Sequence, residues 1–461
     1  MARETTRRRF LAEAGLGVAA AAAGCGKPRE KQMAKRPPNI VFILSDDQGY
    51  GDLGCYGAPD LRTPHIDGLA AQGVRFTHYY ANGPECTPTR TALMTGRYQQ
   101  RVGGLECAIG TTNVGRYDDA IRLAEAHDLG LPVSESVLPV ALKDVGYAAA
   151  VYGKWHLGYE PKFLPRRHGW DHFVGILGGH CDYFHYVEIT GAKTLYENER
   201  PTDDDRYMTD LITEESIDFL RRQDATRPFF LYVSYTAPHS PYQGPGDRKP
   251  SRVPKAQWNQ GTREDYCVLV EYMDRCVGQI LKTLEEKGFA EDTVVFFVSD
   301  NGGTRQARNA PFSGHKGTTF EGGIRVPCII RWPGVIEPKT VCDQPCVTFD
   351  LTRSLLRIAG AGPPARGFDG IDIVGHVAEG KPTVERTLFW RGRRGQRTWR
   401  AVRDGDLKYV SKRDGDAFEE WLFDLSKDPG EHNSLLDARP DDAKRLKGLL
   451  AAWEKDVQPS R

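Results

Sequence analysis

Asn39-Ile40-Val41-Phe42-Ile43-Leu44-Ser45-Asp46-Asp47 is an unbroken apolar run that stops on a hydroxyl and two carboxylates. No polar residue alternates within it, so both faces must be buried, which predicts a strand inside a parallel sheet. Two more runs close in a similar way. Phe229-Phe230-Leu231-Tyr232-Val233 leads to Ala237-Pro238-His239, and Val294-Val295-Phe296-Phe297-Val298 leads to Ser299-Asp300-Asn301-Gly302-Gly303. Residues 208–222 and 264–287 carry the spacing of amphipathic helices. Strand alternating with helix predicts an α/β fold, its mostly parallel sheet flanked by helices on both sides. Ligands collect beyond the carboxyl ends of such strands, so the polar closures are the first candidates for a site.

Beyond about residue 365 the texture changes. Thr387–Arg391, Thr398–Arg403, Leu407–Val410 and Trp421–Asp424 are short β-like runs between turn residues, and 440–455 reads as a helix. They predict a small C-terminal α+β subdomain with an antiparallel sheet. The expected division is 1–25 signal, 26–37 linker, 38–365 main domain and 366–461 C-terminal subdomain.

Basic and acidic residues cancel at 62 each, so no bulk field draws nucleic acid or an anionic membrane. The ten cysteines are scattered without a C-x-x-C pair, unlike a disulfide framework. Cys342 and Cys346 are near enough in sequence to pair, and the sequence leaves that open. At the N-terminus, Thr6-Arg7-Arg8-Arg9-Phe10-Leu11 precedes an Ala- and Gly-rich run ending in Ala22-Ala23-Gly24-Cys25. A charged start, a short apolar run and small residues are the parts of a secretory signal, and the run is too short for a bilayer span. It resembles a twin-arginine export signal with a lipoprotein cleavage box, which implies a periplasmic or cell-envelope location and offers Cys25 for lipid attachment.

Taken alone, Asp46-Asp47 is a turn or a helix cap. With Asp300-Asn301 at a second strand end, three carboxylates and an amide oxygen make a hard, all-oxygen shell suited to Ca²⁺. Cys86-Thr87-Pro88-Thr89-Arg90, continuing Thr91-Ala92-Leu93-Met94-Thr95-Gly96-Arg97, taken alone reads as a buried Cys opening a helix. It resembles, however, the Cys-x-Pro-x-Arg signature of the formylglycine-dependent (type I) sulfatases of the alkaline-phosphatase superfamily. Thr89 departs from the Ser or Ala usual there. Three more segments resemble that family in the same order: Gly153-Lys154-Trp155-His156-Leu157-Gly158, Ala237-Pro238-His239-x-Pro241, and Lys316-Gly317-Thr318-x-Phe320-Glu321-Gly322-Gly323-x-Arg325. The likeness covers roughly 39–330 and continues weakly through Trp421-Leu422-Phe423-Asp424 to Asp428-Pro429-x-Glu431.

The resemblance implies an alkaline-phosphatase-like domain that hydrolyses sulfate esters. Cys86 becomes formylglycine with the help of a maturation enzyme, and one calcium is held by Asp46, Asp47, Asp300, Asn301 and residue 86. Lys154 and Lys316 neutralise sulfate oxygens. His239 donates to the departing alcohol, His156 serves as a base in releasing sulfate, and Arg90 orients the nucleophile. Two alternatives stand beside this. One is a phosphonate or phosphate monoester hydrolase on the same scaffold, although such relatives typically have Asp-His where Asp300-Asn301 stands, and an imidazole suits a transition metal better than calcium. The other is a non-catalytic protein that binds sulfated glycans. The expected substrate is a sulfated carbohydrate attacked near a chain end. The aromatic and polar mixture of 168–185, with His180 and Asp182, offers contacts to a sugar.

Overall fold

The computed structural model describes residues 36–112 and 115–459; the expected signal and nearly all of the expected linker lie outside them. Among the described residues no helix is long and apolar enough to cross a membrane.

The opening run forms the strand Asn39–Ser45, every residue of it buried. Ile40, Phe42 and Leu44 enter one hydrophobic cluster, whereas Val41 and Ile43 enter another. This two-faced burial is what an unbroken apolar run requires. The strand pairs in parallel with Phe229–Ser234 on one side and Thr293–Ser299 on the other. The whole sheet has ten strands in the order Thr340–Cys342, Val74–Phe76, Cys328–Arg331, Thr293–Ser299, Asn39–Ser45, Phe229–Ser234, Ala148–Gly153, His172–Ile176, Leu195–Glu197, Arg200–Pro201. Its central strands are parallel, and antiparallel pairings enter toward both edges.

Helices cover both faces. Met208–Arg222 and Arg263–Glu286 supply Leu211, Leu220, Met273 and Ile280 to one cluster. The second of these starts at a capping box between Thr262 and Asp265, which satisfies backbone N–H groups at the helix start. Cys86–Thr95 and Thr348–Ile358 supply Leu93, Met94, Leu351 and Leu355 to the other cluster.

The C-terminal runs form one antiparallel sheet, Thr387–Arg394, Arg397–Asp404, Leu407–Asp414 and Ala417–Asp424, followed by the helix Pro440–Asp456. These strands extend past the apolar runs because each hairpin has a two-residue loop opening on glycine: Gly395, Gly405 and Gly415, with φ of 57°, 59° and 59°. Glycine at the first loop position matches the right-handed twist of the strands and carries the pairing out to the charged tips. Trp390, Trp399, Leu446 and Trp453 share a core with Tyr80, Ala92 and Phe349 of the preceding chain. Among the described residues no cysteine is in a disulfide, Cys342 and Cys346 included.

Candidate active site

Strand register decides what meets at the carboxyl edge of the sheet. Ser45 pairs with Ser299, so Asp46 and Asp300 leave adjacent strands side by side. Gly153 pairs with Ser234, which sends Lys154 out beside them. A side chain at 153 is excluded, since its Cβ would lie 1.9 Å from the Ser234 carbonyl oxygen and φ there is 109°. Backbone bonds fix the exits: Asp300 N–H to Ser45 O (3.2 Å), Asp46 N–H to Ala237 O (3.0 Å) and Lys154 N–H to Ser234 O (2.8 Å). Asp47 and His156 both adopt left-handed backbone, with φ of 63° and 59°. Non-glycine residues hold that conformation at a cost that the surrounding structure must offset.

Cys86 is the first residue of a fully buried helix that ends at Gly96. Arg90 lies one turn further on the same face, which explains the four-residue spacing. Its guanidinium donates two bonds to Asp300 Oδ2 (3.1 and 2.8 Å), and further bonds to Lys154 O (2.9 Å) and Ser234 Oγ (2.6 Å). Ser234 also donates to Lys154 O (2.7 Å). Ser234 carries no signal in the sequence beyond its place at the end of an apolar strand. Thr89 is buried, and its Oγ1 accepts a bond from Asn82 N–H (3.1 Å), a use for the hydroxyl that Ser would share.

Asp46, Asp47, Cys86 and His239 each bring one ligand atom within 4.8 Å of the others. Asp46 Oδ1 is 3.5 Å from the Cys86 sulfur, and Lys154 Nζ is 2.5 Å from Asp46 Oδ2. Lys316 Nζ lies 2.7 Å from Asp47 Oδ1, 3.1 Å from His239 Nε2 and 3.6 Å from the Cys86 sulfur. Asn301 and Asp300 join the same group. Asn301 Nδ2 donates to Asp47 Oδ1 (2.8 Å) and Gly302 O (2.9 Å), and Asp47 N–H donates to Asp300 Oδ1 (3.3 Å). Nine of the ten residues to which the sequence assigned catalysis, sulfate or a cation therefore meet at this edge of the sheet, and His156 follows two residues after Lys154.

The donor set fits a hard divalent cation. Asn301 spends its NH₂ on protein acceptors, and its Oδ1 is buried with no partner, an acceptor that a cation would satisfy. Burial and the neighbouring Asp300 push the Asp46 carboxyl up to about 7 despite Lys154, so this corner is short of positive charge. Burial would raise Asp47 too, but Lys316, His239 and Lys154 outweigh it and hold that carboxyl below its usual range. Asp46, Asp47 and Asp300 balance Lys154, Lys316 and Arg90, so an added dication would leave the centre positive toward an anionic ester.

Burial, then the charge of Lys154 and of other cations, depresses the basicity of both His156 and His239, with Asp47 opposing at His239. His156 Nε2 faces Ile109 O at 2.6 Å, so that nitrogen carries the proton, and Nδ1 is left buried, unprotonated and without a partner. His239 Nδ1 likewise faces Ser240 O at 2.7 Å, leaving Nε2 to accept from Lys316.

Of the two sugar contacts expected from the sequence, Asp182 is a correction. It is fully buried, and its carboxylate accepts bonds from the N–H groups of Phe184, His185 and Val253 and from Gln243, so it organises its loop. His180 is only part-buried and stacks on His239, centroids 5.3 Å apart with planes 5° apart, while Trp258 meets it edge-on at 5.3 Å.

A family model described as Sulfatase matches residues 38–361, and one described as N-sulphoglucosamine sulphohydrolase, C-terminal, matches 315–451. The chain is 36% identical over 402 residues to N-acetylgalactosamine-6-sulfatase of Sus scrofa, covering 83% of this chain and 71% of that protein. It is 33% identical over 460 residues to arylsulfatase A of Bos taurus, covering 88% and 84%. Among solved structures, the crystal structure of Ps i-CgsB superposes with a TM-score of 0.79 at 28% identity, covering 92% of this chain and 94% of that one. The same protein in complex with k-i-k-neocarrahexaose gives 0.78.

Proposed function

The chain belongs to the sulfatase family and is a sulfuric ester hydrolase, and we propose that it removes sulfate from a sulfated carbohydrate by the following division of labour. Formylglycine made from Cys86 would supply, as its hydrate, the attacking hydroxyl, and calcium held by Asp46, Asp47, Asp300, Asn301 and residue 86 itself would favour its ionised form. The position of residue 86 at a helix N-terminus adds a favourable field for negative charge there. Lys154 and Lys316 hold the sulfate oxygens and neutralise charge gathering on them. Arg90 holds Asp300 in place through its paired bonds. His239 hands a proton from Nε2 to the leaving oxygen, and its low basicity makes it a ready donor once charged; Lys316 beside it keeps its own proton, because burial is outweighed by Asp47, which raises its basicity. His156 Nδ1 takes up the proton whose loss releases sulfate.

The observation that carries this reading is the convergence of Asp46, Asp47, Cys86 and His239 within 4.8 Å, with both lysines among them. A sulfated sugar is supported by the relative named N-acetylgalactosamine-6-sulfatase and by the k-i-k-neocarrahexaose in complex with Ps i-CgsB. The part-buried His180 ring, stacked on His239 and backed edge-on by the buried Trp258, supplies aromatic surface next to the acid. We place the enzyme outside the cytoplasm, exported through residues 1–25, with Cys25 available for lipid attachment and a maturation enzyme acting on Cys86.

The test is sulfate release from sulfated oligosaccharides, beside paired aryl sulfate and aryl phosphate esters, with the mass of the peptide carrying residue 86 measured on the same preparation. Sulfate esters should turn over at least about 100-fold faster than phosphates, and that peptide should carry an aldehyde. Preference for phosphate, or full activity with an intact thiol, would overturn the reading. For export, the double variant Arg7→Lys with Arg8→Lys should leave precursor in the cytoplasm; unchanged export would remove that placement.

A further inference from the structure

Asp428-Pro429-x-Glu431 has no part in the chemistry above, yet its glutamate is 6% exposed and held at φ 56°. The turn is built to aim it inward. Asp428 Oδ2 accepts the N–H groups of His432 and Asn433 at 2.8 Å each, and Glu431 N–H returns to Asp428 O at 3.1 Å. Glu431 Oε2 then accepts the backbone N–H of Glu321 at 2.5 Å, and Oε1 is 2.8 Å from Lys408 Nζ. Lys408 donates to Glu321 Oε1 at 2.7 Å, with both side chains fully buried. Glu321 Oε2 accepts from Tyr80 OH (2.8 Å) and Arg325 (3.1 Å).

We propose that the buried Glu321–Lys408–Glu431 triad is a positioning device for Lys316, through which the C-terminal sheet sets the place of a sulfate-binding ammonium. This rests on the reading of Lys316 as a sulfate ligand. Glu321 closes the loop that begins at Lys316. At its near end the loop is tied by Lys316 N–H to Gly303 O (3.0 Å) and Gly317 N–H to Pro84 O (2.8 Å). Pro84 lies two residues before Cys86, so that tie refers the loop to the nucleophile's helix. Thr319 Oγ1 donates to Arg400 O (3.2 Å) and Gly322 N–H to Ser313 O (2.7 Å). The triad anchors the far end. Lys408 lies on the strand Leu407–Asp414 and Glu431 follows the strand Ala417–Asp424, so the anchor belongs to the small sheet.

Ionised groups in a dry core add little net stability, because apolar side chains of the same volume often do as well. What an ion triad fixes is distance and direction, and misplacing a binding group by about 1 Å can cost on the order of 100-fold in rate. Glu431 holding its left-handed backbone is consistent with that demand on its carboxylate.

The experiment is a double-mutant cycle on the full chain, reading kcat/KM for an aryl sulfate and the affinity for inorganic sulfate. Glu431→Gln and Lys408→Met are each made in the native and in the Lys316→Ala background, with folding followed by circular dichroism. In the native background each should lower kcat/KM about 10- to 100-fold, the size outer supporting groups carry, and weaken sulfate binding in parallel. In the Lys316→Ala background the further loss should be under about 2-fold, because the group being positioned is gone. Glu431→Asp and Lys408→Arg run the same cycle if the first pair does not fold. Equal fold-losses in both backgrounds would overturn the triad's role while leaving Lys316 as a ligand. Unchanged sulfate affinity in Lys316→Ala would overturn the reading of Lys316 and the triad's role with it.

Discussion

The floor of the site and its wall are built differently. Asp46, Asp47, Lys154, Asp300 and Asn301 leave the ends of three central parallel strands, Arg90 reaches them from a buried helix, and each is no more than 1% exposed. His180 and His239 come from loops, as does Lys316, whose side chain is 20% exposed. Strands hold groups more precisely than loops, so the cation-binding carboxylates belong on the first, whereas the loops carry the proton donor His239, the sulfate-binding Lys316 and, at His180, recognition of the rest of the substrate. Floor substitutions should therefore damage turnover, cation binding and fold together. Substitution of the wall residue His180, which takes no part in the chemistry, should alter which ester is accepted.

The strongest challenge to this division is Cys86→Ala. Turnover should fall by about 10⁴-fold or more, the scale at which removal of a nucleophile is felt. The side chain removed is small, so the thermal midpoint should stay within a few degrees. A large loss of stability would mean that residue 86 serves the helix as much as the chemistry.

Asp300→Ala probes the floor itself. It leaves Arg90 buried without its carboxylate, and breaking such a pair costs about 3–5 kcal/mol, to be read by denaturant unfolding. Calcium affinity, read by calorimetry, should fall with it. In the native protein a calcium chelator should lower both activity and thermal midpoint, and calcium should restore both, since a ligand bound only by the folded state stabilises it by mass action. Native calcium affinity in Asp300→Ala would break the floor assignment.

The carboxylate ends of the floor strands were legible from the pattern of apolar runs, whereas Arg90, Lys154, His239 and Lys316 were legible only through the family resemblance, for a physical reason. A strand buried on both faces announces itself by an unbroken apolar run, and carboxylates at the ends of two such strands point to a shared cation where one pair alone would read as a turn or cap. Ala148-Ala149-Ala150 gave no such signal, because alanine fits a helix as readily as a packed strand, so the strand supporting Lys154 was not foreseen. The edge pairs Leu195–Glu197 and Arg200–Pro201 are too short to show a period. Ser234 looked like one more strand residue until Arg90 was seen to bond it. In the wall, Asp182 and His180 lie two residues apart in the same aromatic context, and only burial and hydrogen-bond partners separate a loop anchor from a surface group.

A smaller effect tests whether the histidines of the 153–185 segment share one role. His168 is fully buried beneath Trp155, ring centroids 5.1 Å apart, with neither ring nitrogen partnered. Burial lowers it from 6.5 to about 4. The unfolded chain then binds a proton below pH 6.5 that the folded one refuses until about pH 4. Stability from this site is full above pH 6.5 and is lost progressively as the pH falls from 6.5 toward 4, to about 3 kcal/mol. His168→Phe should flatten that part of the unfolding free energy against pH while leaving the pH profile of kcat unmoved. A shifted kcat profile would place His168 in the chemistry and blur the distinction between core and wall.

The smallest effect is the most informative about the wall. His180 presents its ring to His239 face to face, and its Nε2 is buried without a partner in the native fold. Burial and the charges of Lys154 and Lys316 drive it down to about 3, so it is neutral at any working pH and offers no ionic contact to sulfate. What it offers is a flat apolar face and one ring nitrogen able to accept or donate, suited to a sugar's ring and a hydroxyl. A small aryl sulfate reaches the sulfate-binding lysines without needing either. His180→Ala should therefore lower kcat/KM on a sulfated oligosaccharide about 10-fold, roughly 1.4 kcal/mol, and on an aryl sulfate about 2-fold or less. Calcium affinity and thermal midpoint should stay near native values. Equal losses on both substrates would mean that His180 serves by steadying the His239 ring, and recognition of the sugar would then have to be sought elsewhere on the wall.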